Sequence, residues 1–207
     1  MTSDKLNKIQ IIHAHDLLYP ASLTKYLADK APETITAIGN LDLLLNKTLA
    51  VFSSSKCPGS VILKTYDLMK KICGGESQFA GMTVISGFHS QMEQECFNIL
   101  MKGKRPLIIC PARRLEGMRI KPDYKRTIED GRLLILSPFS EKDKRISSER
   151  AAYRNRFVAA LADTILIPYA APKSKTEQLC RELLLWEKPL YTINGESDNF
   201  VHYPKIL

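Results

Sequence analysis

The feature that most restricts how this chain folds is a repeated alternation. Short runs of apolar residues, without a polar residue at every second position, are each followed by an amphipathic stretch of helical length. The run Thr48-Leu49-Ala50-Val51-Phe52 comes first, then a turn of Ser, Lys, Pro and Gly, then residues 59–73 with Ile62, Tyr66, Met69 and Cys73 three to four apart. Residues 82–86, 106–110, 133–136, 163–168 and 189–193 read as further strands. A helix is predicted from about Ser90, and others over 123–130, 147–162 and 174–186. Two of these open with a capping-box pattern, Ser90 with Glu93 and Ser174 with Glu177. Strands that are apolar throughout are covered on both faces, which requires crossover helices and a mostly parallel sheet. The pattern predicts a three-layer α/β, Rossmann-like domain over residues 45–207. Residues 1–44, with a helix predicted over 21–29, are expected to be a short N-terminal extension packed on the first strand.

Ligands of open parallel sheets bind at the carboxyl ends of the strands, where loops meet helix N-termini. The loops there read Ser53-Ser54-Ser55-Lys56, Ser86-Gly87-Phe88-His89, Pro111-Ala112-Arg113-Arg114, Ser137-Pro138-Phe139, 170–176 with Ser174, Lys175 and Thr176, and Asn194-Gly195-Glu196-Ser197. Four of the six offer hydroxyls or cations that could hold a phosphate. Phe88, Phe139 and Tyr169 fall at strand ends, where an unpaired base can stack.

The charge points the same way. Thirty Lys and Arg against 22 Asp and Glu leave a net +8, which favours polyanionic partners. The window from Lys102 to Arg126 holds nine basic residues, among them Arg113, Arg114, Lys121 and Arg126, against Glu116 and Asp123, so it alone carries +7. A second basic group, Lys142, Lys144, Arg145, Arg150, Arg154 and Arg156, is half offset by Glu141, Asp143 and Glu149.

Other classes lack their signatures. There is no GxGxxG, no GxxxxGK[ST] and no GxSxG, so no dinucleotide fingerprint, P-loop or nucleophile elbow is present. His13-Ala14-His15-Asp16 has the spacing of a strand-borne metal pair, but only His89 and His202 remain as further histidines. The five cysteines form no CxxC pair and read as reduced thiols. No apolar run approaches the roughly 18 residues of a membrane span, and the polar N-terminus lacks a signal-peptide pattern. A cytoplasmic, non-enzymatic protein without cofactor or metal is expected.

Tyr19-Pro20, the stretch 35–40, the serine-rich loop after the first strand, Val84-Ile85-Ser86-Gly87-Phe88, and the segment 153–163 with Arg154-Asn155-Arg156 occur in a characteristic order. In that order the chain resembles the DNA-processing protein A family (DprA, also called Smf) along nearly its whole length. The resemblance implies an extended Rossmann fold, binding of single-stranded DNA without sequence preference, homodimerisation, and a part in natural transformation and DNA recombination through loading of a RecA-type recombinase. Phosphate contacts would fall to Ser54, Ser55, Lys56, Ser86, Gly87, Arg113, Arg114, Arg154, Asn155, Arg156, Ser174, Lys175 and Thr176. The chain departs from the family where Gly-Ser-Arg becomes Ser53-Ser54-Ser55 with Lys56 next, and where Gly-Ile-Asp becomes Gln91-Met92-Glu93. A second reading is a nucleotide-binding or nucleotide-processing protein similar to the phosphoribohydrolases. Their Pro-Gly-Gly-x-Gly-Thr loop is replaced here by Pro172-Lys173-Ser174-Lys175-Thr176-Glu177, which has no glycine.

Overall fold

The chain enters through two strands, Gln10–His13 (β1) and Thr34–Gly39 (β2), with helix Ala21–Leu27 (α1) between them. Strand and helix then alternate: Thr48–Val51 (β3), Gly59–Gly74 (α2), Thr83–Ser86 (β4), Gln91–Lys102 (α3), Leu107–Ile109 (β5), Pro122–Glu129 (α4) and Leu133–Ser137 (β6). Ser148–Leu161 (α5), Thr164–Leu166 (β7), Lys175–Leu184 (α6), Leu190–Ile193 (β8) and Phe200–His202 (β9) complete it. This computed structural model describes residues 8–140 and 147–193, and the backbone of 200–202. The loop Asn194-Gly195-Glu196-Ser197 and the basic residues Lys142, Lys144 and Arg145 lie outside the described residues.

Among the described residues the strands form one sheet in the order β1-β2-β6-β5-β4-β3-β7-β8-β9. The six strands from β6 to β8 in that order are mutually parallel; β2 pairs antiparallel with β6, β1 antiparallel with β2, and β9 antiparallel with β8. Side chains alternate across the sheet with the strand period of two. Leu49 and Val51 face one core with Val84, Leu107 and Ile109, under α2, α3 and α4. Ala50 and Phe52 face the other with Ile85, Ile108 and Cys110, under α1, α5 and α6. All four residues of β3 are buried, and so are all five of β6, which is why the apolar runs are continuous.

The segment ahead of residue 45 shares a core with Ala50 and Phe52 of β3 through α1, but none of its strands pairs with β3. β2 pairs with β6 instead, from Thr36 opposite Ser137 to Gly39 opposite Leu134, and β1 pairs with β2, so the extension widens the sheet. Its apolar residues cluster at 35–38, where alternation is broken and strand and helix look alike in sequence. Gly39 makes the junction possible. A Cβ there would stand 2.3 Å from the Leu133 carbonyl oxygen, and its φ is +118°.

The topology positions the site. From β3 the chain winds outward through β4, β5 and β6 along one half of the sheet. α5 then crosses back over it, and β7 lies on the other side of β3. The strand order therefore reverses between β3 and β7, which is where open α/β sheets leave a crevice at their carboxyl edge.

Candidate nucleic-acid interface

A cleft of about 870 Å³ occupies that crevice. The loop after β3, the N-terminal turns of α3 and α6, and the N-terminal half of α5 line it. Three hydrogen-bonded devices hold these pieces together.

The first is Glu93. Ser90 caps α3 by accepting from the Glu93 N–H at 3.2 Å, and Glu93 Oε2 accepts from the N–H groups of His89 (2.9 Å) and Ser90 (3.3 Å). The other oxygen, Oε1, accepts from the Ser53 N–H at 3.0 Å, so the same buried carboxylate fastens the β3 loop to the α3 N-terminus. The capping-box pattern pointed to the local half of this arrangement. The reach to Ser53, 40 residues away, has no signature in sequence.

The second is Ser54. It is 4% exposed; its Oγ accepts from the Ala171 N–H at 2.8 Å and lies 3.0 Å from Ser174 Oγ. Ser174 in turn accepts from the Glu177 N–H and caps α6. The Glu177 carboxylate bonds the Lys173 N–H at 2.6 Å, one residue ahead of the position a full capping box would use. These serines join two loops and leave Ser55, Lys56 and Lys175 exposed at the cleft.

The third is Arg154, 4% exposed. Its Nη1 donates to the Cys110 carbonyl at 2.8 Å and its Nε to Asn155 Oδ1 at 2.8 Å. Burial pulls its guanidinium below the usual arginine range, while Glu93 and Cys110 nearby act in the opposite direction. Burial likewise pushes the fully enclosed Cys110 thiol up to about 12, against the lowering effect of Arg154. Gly87 lies flat against this guanidinium, since a Cβ there would be 1.4 Å from Nη1.

The structure thus sorts the residues singled out in sequence. Ser54, Ser55, Lys56, Arg154, Asn155, Arg156, Ser174, Lys175 and Thr176 line the cleft together. Ser86, Gly87, Arg113 and Arg114 do not. Ser86 is fully buried and donates to the Val51 carbonyl at 2.8 Å, bracing β4 against β3. Arg156 is engaged twice by Glu182, at 2.6 and 2.7 Å, and this pairing holds its guanidinium above its ordinary range against a lesser effect of burial. Lys175 Nζ donates to Ser148 Oγ. Phe88 and Phe139 are buried lids, with Phe88 5.0 Å from the Phe97 ring and Phe139 5.8 Å from Tyr153. Neither ring is open to a base, and Tyr169 is half-buried.

Two of the four non-glycine residues with positive φ among the described residues stand in the loops around the cleft, Phe88 at +48° and Lys173 at +60°. Such backbone strain concentrates where loops are held in one shape for a ligand. The α2 N-terminus, three residues past Lys56, has no side-chain cap and no acidic residue in its first turn, which suits an anion.

A sequence model of the DNA recombination-mediator protein A family matches residues 10–199. The chain belongs to that family. Its fold is similar to the X-ray structure of DNA processing protein A from Streptococcus pneumoniae, with a TM-score of 0.72 and 18% identity. The likeness covers 93% of this chain and 65% of that one, so this chain spans about two thirds of the Streptococcus protein's length. It is also similar to a structure of DNA processing protein A from Helicobacter pylori, described for its single-stranded DNA binding mode, with a TM-score of 0.69 and 17% identity over 94% and 83% of the two chains. No curated protein sequence matches. The shared architecture is the three-layer, mostly parallel Rossmann-like sheet expected from the sequence. No helix among the described residues is long and apolar enough to cross a membrane.

Proposed function

We propose that this protein binds single-stranded DNA, without enzymatic turnover, in the cleft between β3 and β7. Membership in the recombination-mediator family and a neighbour described for single-stranded DNA binding support the reading. The observation that carries it is the distribution of polar groups at the surface of the cleft. Buried residues hold the walls, while Ser55, Lys56, Lys175 and the Asn155 amide remain at the cleft surface. Asn155 accepts from Arg154 through Oδ1, which orients its Nδ2 as a donor for an incoming oxygen. Lysines on mobile stems contact phosphates irrespective of base, so the binding is sequence-tolerant and salt-sensitive. Loading of a RecA-type recombinase, a role in DNA uptake, homodimerisation and a cytoplasmic location complete the proposal as the setting in which such binding is useful.

The test is fluorescence anisotropy with a labelled oligo-dT of about 6 nucleotides, titrated between about 50 and 200 mM salt. Wild type should bind with an affinity that falls steeply with salt, and Lys56→Ala/Lys175→Ala should weaken it at least about tenfold at low salt. Absence of binding at low salt, or binding indifferent to both lysines, overturns the reading. A melting temperature raised by mononucleotides but not by oligo-dT would establish the nucleotide-pocket reading instead.

A further inference from the structure

The cleft accounts for little of the molecule's positive charge. Its cations Lys56, Arg154, Arg156 and Lys175 are set against Glu93, Glu149 and Glu182, whereas the window 102–126 carries +7 of the net +8. Three of its nine cations lie across the sheet, on the wall of a second hollow of about 870 Å³ between α3 and α4. Lys102, Lys121 and Arg126 line it and are exposed, and Lys104, Arg119 and Lys125, each within two residues of one of these in sequence, are exposed too. Its acidic residues are Glu95, Asp123 and Asp130. Arg132, also on its wall, is occupied by the carbonyls of Gly103 and Arg105 and stands 4.0 Å from Asp130. Tyr124 presents an aromatic ring, edge-on to Phe97 at 5.4 Å with Lys121 Nζ 5.7 Å from its centroid.

The two hollows meet across one turn. Gly87 and Phe88 belong to the groove, and His89 and Ser90, the next two residues, belong to the cleft. A strand leaving the cleft over the β4–α3 turn therefore enters the groove. We propose that the α3–α4 groove is a second subsite for single-stranded nucleic acid, taking the strand onward from the cleft. The proposal rests on the reading of the cleft as a single-strand site. A line of exposed cations beside an aromatic ring is the combination that binds such strands without base preference.

Salt dependence provides the test, because a longer strand offers more binding registers, which raises affinity but leaves the salt slope unchanged. Oligo-dT strands of about 6 and about 20 nucleotides are titrated against wild type and Lys121→Glu/Arg126→Glu, with melting temperatures to verify folding. The longer strand should give wild type a steeper slope, and the double variant should flatten that slope by about 1.4, two contacts at roughly 0.7 each. The short-strand slope should be the same in both proteins. If the short strand binds but strand length and charge reversal both leave the slope unchanged, the groove is not a subsite and the cleft reading stands. If the short strand fails to bind wild type, both readings fall together.

Discussion

Gly87→Ala tests whether Arg154, on the wall of the cleft, is held as described. Gly87 does not need glycine's backbone freedom, because its φ lies outside the left-handed region where other residues are strained. Its difficulty is steric. The added Cβ would lie 1.4 Å from Arg154 Nη1, 1.8 Å from Cζ and 2.5 Å from Nη2, so the guanidinium has to leave. Displacing it breaks the Nη1 bond to the buried Cys110 carbonyl and the Nε bond to Asn155. A charged hydrogen bond lost with its partner left unsatisfied costs about 1.5–3 kcal/mol, and forcing a packed region to rearrange costs about 1–3 more. The sum is about 2.5–6 kcal/mol, a large part of the roughly 5–15 kcal/mol that holds a domain folded. At about 2–4 °C per kcal/mol for a chain of this size, the melting temperature should fall by about 10 °C.

The double-mutant cycle makes this decisive. Arg154→Ala alone should destabilise by about 3 kcal/mol, because it orphans the Cys110 carbonyl and removes a packed side chain. In that background the space above Gly87 is vacant and the backbone suits alanine. Gly87→Ala should then change sign and stabilise by about 0.4–1 kcal/mol through the unfolded chain. Urea denaturation of the four proteins gives the coupling, expected to be about 3–7 kcal/mol. Equal costs of Gly87→Ala with and without Arg154 would refute the stacking of Gly87 on the guanidinium.

Three further outcomes are expected. Glu93→Ala should cost about 2–4 kcal/mol in urea denaturation, because three backbone N–H groups in two loops lose their acceptor, and Glu93→Gln, keeping one acceptor oxygen, should cost less. Ser54→Ala should cost about 1–2 kcal/mol by the same measurement, since the Ala171 N–H loses its acceptor. Lys188 donates to the carbonyls of Ala159, Ala160 and Ala162 at the α5 C-terminus, and burial pulls its ammonium down to about 8 from 10.5, with Asp163 opposing and Lys25 assisting. The unfolded chain therefore holds the proton more tightly, so stability rises as pH climbs from about 8 towards 10.5. Relative to Lys188→Met, wild type should gain about 2 kcal/mol between pH 7.5 and 10; an equal pH response in the two proteins would contradict it.

The sheet and its helices were legible because their signals are local and repeated. Continuous apolar runs place β3 to β8, and Ser90 with Glu93 fixes the start of α3. The Ser174 cap was legible too, but its glutamate bonds Lys173 rather than the cap residue, a choice made by the positive φ at Lys173 and the bend of that loop. The placement of β1 and β2 was not legible, since nothing local in 10–39 records a partner 100 residues further on. Within the site, residue types were readable and directions were not. Ser86 looks like Ser55 in sequence, but one donates to the backbone of β3 inside the core and the other is exposed at the cleft.

The Arg154-Asn155-Arg156 segment shows why direction decides function. Consecutive residues on a helix are about 100° apart, so three in a row cannot all face one ligand. Arg154 turns inward to the Cys110 carbonyl, Arg156 turns to Glu182, and Asn155 is left between them at the cleft. A run that reads as a phosphate clamp is in the fold a buttress, a single amide donor and an ion pair. The buried guanidinium has its positive charge committed to the protein's own carbonyl and opposed by Glu93, so it shapes the cleft more than it attracts a strand. In the proposed function, attraction then falls to Lys56 and Lys175 at the cleft and to the exposed cations of the α3–α4 groove. These are mostly lysines, point charges on flexible stems that follow a phosphate chain wherever it runs. Under the proposed function, such an arrangement grips the backbone of a strand and leaves its bases unread.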